Sequence, residues 1–312
     1  MILVSGGSGY VGSHIVRRLV QDGRRVRAMV RDAARAENEG RLRGLDVECV
    51  TADVTRPETL PSALAGADAV VHTVAIAIER GSRKYEEINY QGTVNIVAAA
   101  KMAGVKRFVN MCQLGADASL PYRFLASKGK AQDFVAQSGL DWTAFRPSVI
   151  WGPQDEFANT FARLVPLTPI IFPIVGDENA RFQPVWVEDV ATAVAGALED
   201  SGTIGGDYEL GGPEVLTLEE IERRTLAALG ARRLLVRFPL PALRLVVTLM
   251  EALLPAPPVT RSLLELLAVS NVTTANALHR FVSEPRPFTS ENAAAYMRAF
   301  RVGETIRQFL SA

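Results

Sequence analysis

The first twelve residues, Met-Ile-Leu-Val-Ser-Gly-Gly-Ser-Gly-Tyr-Val-Gly, constrain the fold more than any other stretch of the chain. A short apolar run leads straight into Gly6-x-x-Gly9-x-x-Gly12. A helical pattern follows at once, with Ile15, Val16, Leu19 and Val20 apolar and Arg17, Arg18 and Gln21 between them. Strand, glycine turn and helix form the opening unit of a dinucleotide-binding fold. One glycine permits the tight turn, one lets the backbone approach a pyrophosphate, and one lets helix pack on strand. The helix N-terminus then offers N–H groups and the positive end of its dipole to phosphates. The turn lacks Gly-Lys-Ser/Thr, which separates it from the loops of nucleoside triphosphatases.

Strand and helix patterns continue to alternate through the first half. Strands are expected at 25–31, 47–50, 69–73, 107–112 and 142–147, with helices at 57–64, 88–103 and 121–138 between them. That rhythm means parallel pairing in an α/β, doubly wound sheet, with ligands at the carboxyl ends of the strands. From Gly152 the rhythm changes, and prolines 166, 169, 173 and 184 cluster among apolar residues. A strand at 184–187, a helix at 189–198 and a strand at 207–210 return to it briefly. The expected organisation is therefore a dinucleotide-binding domain, 1–150 with 183–212, and a smaller, partly helical domain, 151–182 with 213–312. In the second domain helices are expected at 218–229 and 241–254. The latter carries only Arg244 and Glu251 as charges, so it should be buried, roof a substrate cleft, or face a membrane or partner.

Composition narrows the function classes. An apolar content of 48% and a charged content of 22% are ordinary for a soluble enzyme, and the zero net charge argues against a nucleic-acid partner. Only five of the 34 basic residues are lysines, so a lysine at a motif position carries information. Cys49 and Cys112 show no metal-ligand spacing, and His14, His72 and His279 lie far apart, so no metal site is expected. No apolar run reaches the ~18–20 residues needed to cross a bilayer. A strand beginning at residue 2 leaves no room for a leader, and the expected location is cytoplasmic.

These landmarks resemble the extended and atypical short-chain dehydrogenase/reductase superfamily over about residues 1–215. The resemblance implies a Rossmann-type doubly wound parallel sheet with a smaller C-terminal substrate or lid domain. It implies that Gly6-Gly-Ser8-Gly9-Tyr10-Val11-Gly12 is the phosphate-binding turn and that Asp53-Val54 contacts adenine. It also implies that His72-Thr73-Val74-Ala75 closes the fourth strand beside the cofactor ribose, and that Asn89 is a structural asparagine. Arg146-Pro147-Ser-Val149-Ile-Trp-Gly-Pro153 is similar to a segment whose backbone borders the nicotinamide, and Met111 ends the fifth strand near it. Within the superfamily, 181–190, 208–213 and the Pro-Pro-Val-Thr260 region look most like the branch of the nucleotide-binding accessory subunit of respiratory complex I and its bacterial relatives. NmrA-like sensors share the same first half.

At the end of the second strand, where NAD-preferring members place a carboxylate, this chain has Val30 and Arg31. Arg31, with Arg35, suits a 2′-phosphate and favours NADP(H) over NAD(H), although the adjacent Asp32 could turn toward a ribose instead. The superfamily's Tyr-x-x-x-Lys sits on the helix after the fifth strand; here it reads Phe124-x-x-x-Lys128. Lys128 is in place to hold the ribose, but phenylalanine has no proton to give. Tyr122 lies about 120° from Lys128 around a helix, so it reaches the site only if the helix starts late. Cys112 reads as a small buried residue rather than a nucleophile.

Two readings follow. One is an NADP(H)-dependent oxidoreductase acting on a hydrophobic carbonyl or quinone-like substrate without the usual tyrosine. The other is a catalytically silent NADP(H)-binding accessory or redox-sensing protein, docked on a respiratory or membrane-associated complex through helix 241–254. An epimerase or dehydratase is disfavoured because those activities need the same tyrosine.

Overall fold

The alternation in the sequence reappears in the structure, a computed structural model that describes residues 1–174, 177–238, 240–254, 257 and 259–310. Along the chain come β1 (Ile2–Ser5), α1 (Tyr10–Gln21), β2 (Val26–Val30), α2 (Ala33–Asn38), β3 (Glu48–Thr51) and α3 (Leu60–Leu64). They are followed by β4 (Ala69–His72), α4 (Gly92–Met102), β5 (Arg107–Met111), α5 (Arg123–Ala136) and β6 (Asp141–Pro147). The second half contains β7 (Ile150–Trp151), α6 (Ala158–Leu164), β8 (Ile171–Ile174), β9 (Arg181–Phe182), β10 (Val185–Trp186) and α7 (Val187–Glu199). It continues with β11 (Gly206–Leu210), β12 (Leu216–Thr217), α8 (Leu218–Ala228), β13 (Leu234–Arg237) and α9 (Leu240–Leu253). Four helices close it: α10 (Arg261–Leu267), α11 (Leu278–Phe281), α12 (Ser290–Ala294) and α13 (Val302–Leu310).

Seven parallel strands form one sheet in the order β11-β6-β5-β4-β1-β2-β3. The order reverses between β1 and β4, which is where a doubly wound sheet opens a crevice at its carboxyl edge. Helices cover the sheet, with α1 packed on α7, and α4 on α3 and α5. This explains why β1 and β4 are continuous apolar runs rather than alternating ones. Leu3, Val70, Phe108, Ile96 and Val135 meet in one core cluster beneath α3, α4 and α5.

The contacts divide the chain into two units. The first comprises 1–147, 187–210 and 275–284; the second comprises 148–186, 211–274 and 285–312. The segment 275–284, which the sequence places in the second domain, groups with the first. Asn276 bridges to Glu209 on β11, Ala277 N donates to Glu209 O at 2.9 Å, and the Phe281 ring lies edge-on to Phe145 at 5.3 Å.

Local departures from the sequence reading have local causes. The helix α2 was not expected; it is a short segment started by the Asp32 carboxylate, which accepts from Arg35 N. The helix expected at 57–64 begins as a 3₁₀ turn at Pro57–Thr59, and the one expected at 88–103 begins as a π-helical stretch at Glu86–Gln91. The helix α5 starts at Arg123 rather than at Pro121, because Tyr122 is extended at the N-cap, with ψ of 102°. The strand expected at 184–187 is only Val185–Trp186, and it pairs with β7 outside the main sheet.

In the second unit the core is aromatic. Trp151 is fully buried, with Trp186 at 4.4 Å and Phe288 at 5.2 Å between ring centroids. Pro258, in the Pro-Pro-Val-Thr260 match, lies outside the described residues.

Candidate functional site

A cleft of about 510 Å³ opens at the carboxyl edge of the first unit's sheet, and its floor is the glycine turn. Gly6, Ser8 and Gly9 line it, followed by Arg31 at the end of β2, Asp53 and Val54 after β3, and Thr73, Val74 and Ala75 after β4. The turn is packed so that only glycine fits. Gly6 has φ of 75°, and a Cβ on Gly12 would lie 2.2 Å from Gly6 O. Helix α1 has neither a side-chain cap on Gly9 nor an acidic residue in its first turn, which leaves the positive end of its dipole to an anion. These features fit a dinucleotide pyrophosphate: backbone can approach closely, and no carboxylate competes.

Of the residues assigned to the cofactor from the sequence, Tyr10, Val11, Gly12, Arg35, Met111, Lys128, Pro147 and Val149 do not line this cleft. Gly12 serves by packing against the turn. Arg35 is exposed and faces Glu39 along its own helix, because one turn of α2 carries it past the cleft. Val149 packs against the core of the second unit. Arg41 is a cation that the sequence does not single out. It lines the cleft, and its Nη1 donates to Ser8 O at 3.4 Å. It sits in an irregular stretch with no periodicity to mark it, so no sequence signal could have found it. Ile76, Arg83 and Glu87 also line the cleft and were likewise unmarked.

The Asp32 carboxylate is committed elsewhere. Its Oδ1 accepts from Arg35 N at 3.0 Å and caps α2. Asp53 Oδ1 accepts from both Thr55 N and Thr55 Oγ1, at 2.9 and 2.8 Å, which fixes the loop after β3.

Below the cleft runs a buried polar network. His72 donates or accepts at both ring nitrogens, to Ser5 Oγ at 2.7 Å and Thr93 Oγ1 at 3.0 Å. Burial, aided by the nearby Lys128 charge, pushes its pKa down to about 3, so it is neutral and structural. Asn89 accepts from Ile76 N at 2.8 Å and donates to Ile76 O and to Ser127 Oγ. It thereby ties the loop after β4 to α5. His14 sits against Glu188 at 2.5 Å, joining α1 to α7.

Lys128 is buried, and its Nζ donates to Met111 O at 2.6 Å, so it clamps the end of β5 to α5. Burial lowers its pKa. Phe124, one turn earlier, lies edge-on to Tyr85 at 5.7 Å and joins an apolar cluster with Ile76 and Ile88. The phenol of Tyr85 donates to Ala77 O at 2.8 Å. Cys112 is buried with its thiol pKa pushed up by desolvation, which makes it an inert packing residue. Tyr122 stands outside the helix at its N-cap, so the 3.6-residue geometry does not govern its direction. Among the described residues no three His, Cys, Asp or Glu side chains group as a metal site.

A seven-stranded parallel sheet, a glycine turn at its switch point and an open helix N-terminus together define a Rossmann-type dinucleotide-binding protein. A family model described as NAD(P)H-binding matches residues 6–201, and the chain belongs to that family. It is 29% identical over 222 residues to the NADH dehydrogenase [ubiquinone] 1 alpha subcomplex subunit 9 of Arabidopsis thaliana, covering 70% of this chain and 55% of that protein. The chain thus spans about half the length of that relative. It is also 29% identical over 260 residues to a ceramide reductase of Caulobacter vibrioides, covering 81% of this chain and 78% of the other. The UDP-glucose 4-epimerase of Thermus thermophilus, solved in complex with NAD, superposes with a TM-score of 0.68 at 21% identity, covering 100% of this chain and 99% of that one. That likeness is one of fold.

Proposed function

We propose that the protein is an NADP(H)-dependent oxidoreductase that reduces a hydrophobic carbonyl or quinone-like substrate. The observation that carries this reading is the charge at the ribose end of the cleft: Arg31 and Arg41 both line it, while the Asp32 carboxylate is spent as a helix cap. Two guanidinium groups, with the adjacent Asp32 carboxylate held at a cap, suit a 2′-phosphate better than the neutral 2′-hydroxyl of NAD, which a carboxylate would bind by accepting its hydrogen bond. A nicotinamide dinucleotide supplies a hydride. The chain's own part is to cradle the pyrophosphate on the glycine turn, to order the loop at 73–76 through Asn89, and to hold the end of β5 through Lys128. The ceramide reductase relative supports a lipid-like substrate.

Phe124 favours a second reading, a dinucleotide-holding accessory protein without turnover, in line with the respiratory-complex relative. The test is a titration with NADPH and NADH, read by nicotinamide fluorescence, followed by turnover on hydrophobic ketones and quinones. On the first reading NADPH binds more tightly, and Arg31→Ala weakens it by roughly 10- to 100-fold while leaving NADH unchanged. Equal affinity for the two nucleotides would remove the NADP(H) assignment. Tight NADPH binding with no turnover on any substrate would select the accessory reading.

A further inference from the structure

The helix α9 is apolar on two sides, and only one of them is covered. Leu243, Val247, Met250 and Leu254 fall within an arc of about 60° at 100° per residue. Val247, at 4% exposure, belongs to the core cluster of the second unit. Leu245, Val246, Leu249 and Leu253 fill a second arc of about 100°, and they are 64%, 52%, 53% and 78% exposed. A helix with an apolar inner face needs a polar outer one in water; this one has leucines there.

We propose that this outer arc seats the protein on the surface of a membrane containing anionic lipid. The aliphatic side chains would enter the boundary between headgroups and acyl chains, and neighbouring arginines would meet lipid phosphates. At 14 residues the helix is too short to cross a bilayer and suited to lie in its interface. Charge selects the occupant. Residues 231–261 contain five arginines and one glutamate and no other charged residue, in a chain whose net charge is zero. Glu251 is neutralised by Arg261 at 2.6 Å, and Arg237 pairs with Glu178 and Glu219, so Arg232, Arg233 and Arg244 are the charges of this stretch that meet no carboxylate among the described residues. Arg244 is exposed on the polar side of the helix, about 100° from Leu245 at the near edge of the arc. The β8–β13 ribbon just before the helix adds to the same character, since Leu234 and Ile171 are register partners exposed at 62% and 44%. A second copy is a poor occupant, because two-fold pairing would set one arginine-rich rim against another. Anionic lipid offers both the apolar phase and the complementary charge.

The experiment is flotation of the full chain with phosphatidylcholine vesicles, with and without phosphatidylglycerol, for the wild type, the double variant Leu245→Glu with Leu249→Glu, and Arg244→Glu. NADPH titration of each protein reports whether it is folded, and it is independent of lipid. The wild type should float with the phosphatidylglycerol vesicles, less so as salt is raised. The double variant should lose at least about tenfold in binding, and Arg244→Glu severalfold, with NADPH affinity unchanged. Absence of wild-type binding to anionic vesicles would overturn the proposal, as would equal binding by a folded double variant. A concentration-dependent dimer abolished by the same two substitutions would also overturn it, by making a second copy the occupant.

Discussion

Phe124 is the residue at which this chain departs from the chemistry its fold usually carries. One side chain decides whether a phenol or an inert ring stands a helical turn from Lys128. The ring is held by Tyr85, and it shares a cluster with Ile76 and Ile88, both of which border the cleft. Phe124 itself does not line the cleft, so a phenol at this place would add a proton donor just behind Ile76 and Ile88. Phe124→Tyr should therefore raise the turnover number of a reductase by at least about tenfold with the NADPH dissociation constant unchanged. Stopped-flow or steady-state kinetics on a hydrophobic ketone would measure it, and an unchanged rate would place the proton source elsewhere. Lys128 and the motif around it are plain in the sequence. The buried clamp on Met111 O is not, because it depends on how β5 and α5 meet.

At the scale of elements, the π-helical stretch Glu86–Gln91 before α4 does the positioning. Its wider turn carries Asn89 into the interior, where it holds Ile76 by both backbone groups and reaches Ser127 on α5. Asn89→Ala leaves a buried N–H and a buried C=O of Ile76 without these partners. The cost should be about 2–3 kcal/mol, read as a lowered melting temperature, with weaker NADPH binding because the loop at 73–76 loosens. A destabilised variant with wild-type NADPH affinity would show that the loop needs no such tether. A second element-level device is in the other unit. Asp155 is fully buried and accepts from Gly152 N, Phe157 N, Asn159 N and the Tyr296 hydroxyl, at 2.8 to 3.1 Å. It anchors the turn in which Gln154 takes a φ of 70°.

For the molecule as a whole, two buried groups give opposite responses to pH. Burial raises Asp155 from 3.8 to about 6. Its protonated form is favoured in the folded state, so its contribution is fully present below about pH 4 and is lost as pH rises through 6. His72 is lowered from 6.5 to about 3, so the stability tied to its neutral form is present above pH 6.5 and is lost as pH falls toward 3. A shift of about two units in Asp155 is worth about 3 kcal/mol, and the larger shift in His72 means that its loss outweighs the gain from Asp155 in acid. The Tyr296 hydroxyl bonds the charged form of Asp155. Tyr296→Phe should therefore cost about 1–2 kcal/mol more at pH 7.5 than at pH 4.5, read from thermal melts at the two pH values. An equal cost at both would mean that Asp155 titrates without sensing that bond.

The sequence by itself determined the parallel sheet, the glycine turn at its switch point and the substitution of Phe124. Each is written in local order: apolar runs of strand length, glycines at fixed spacing, and two motif positions four residues apart. Only the tertiary structure decided which further cations face the cleft, since the end of the second strand marks Arg31 but no local pattern separates Arg35, which turns away, from Arg41 and Arg83, which line it. One turn of α2 sends Arg35 away, and the path of an irregular loop brings Arg41 in. The return of 275–284 to the first unit was likewise illegible, because it rests on a bridge to Glu209 and on Phe281 packing. These are contacts between residues far apart in the chain, which no local pattern encodes. The apolar character of α9 was plain from its composition, but which of its faces is left open depends on what packs against Val247.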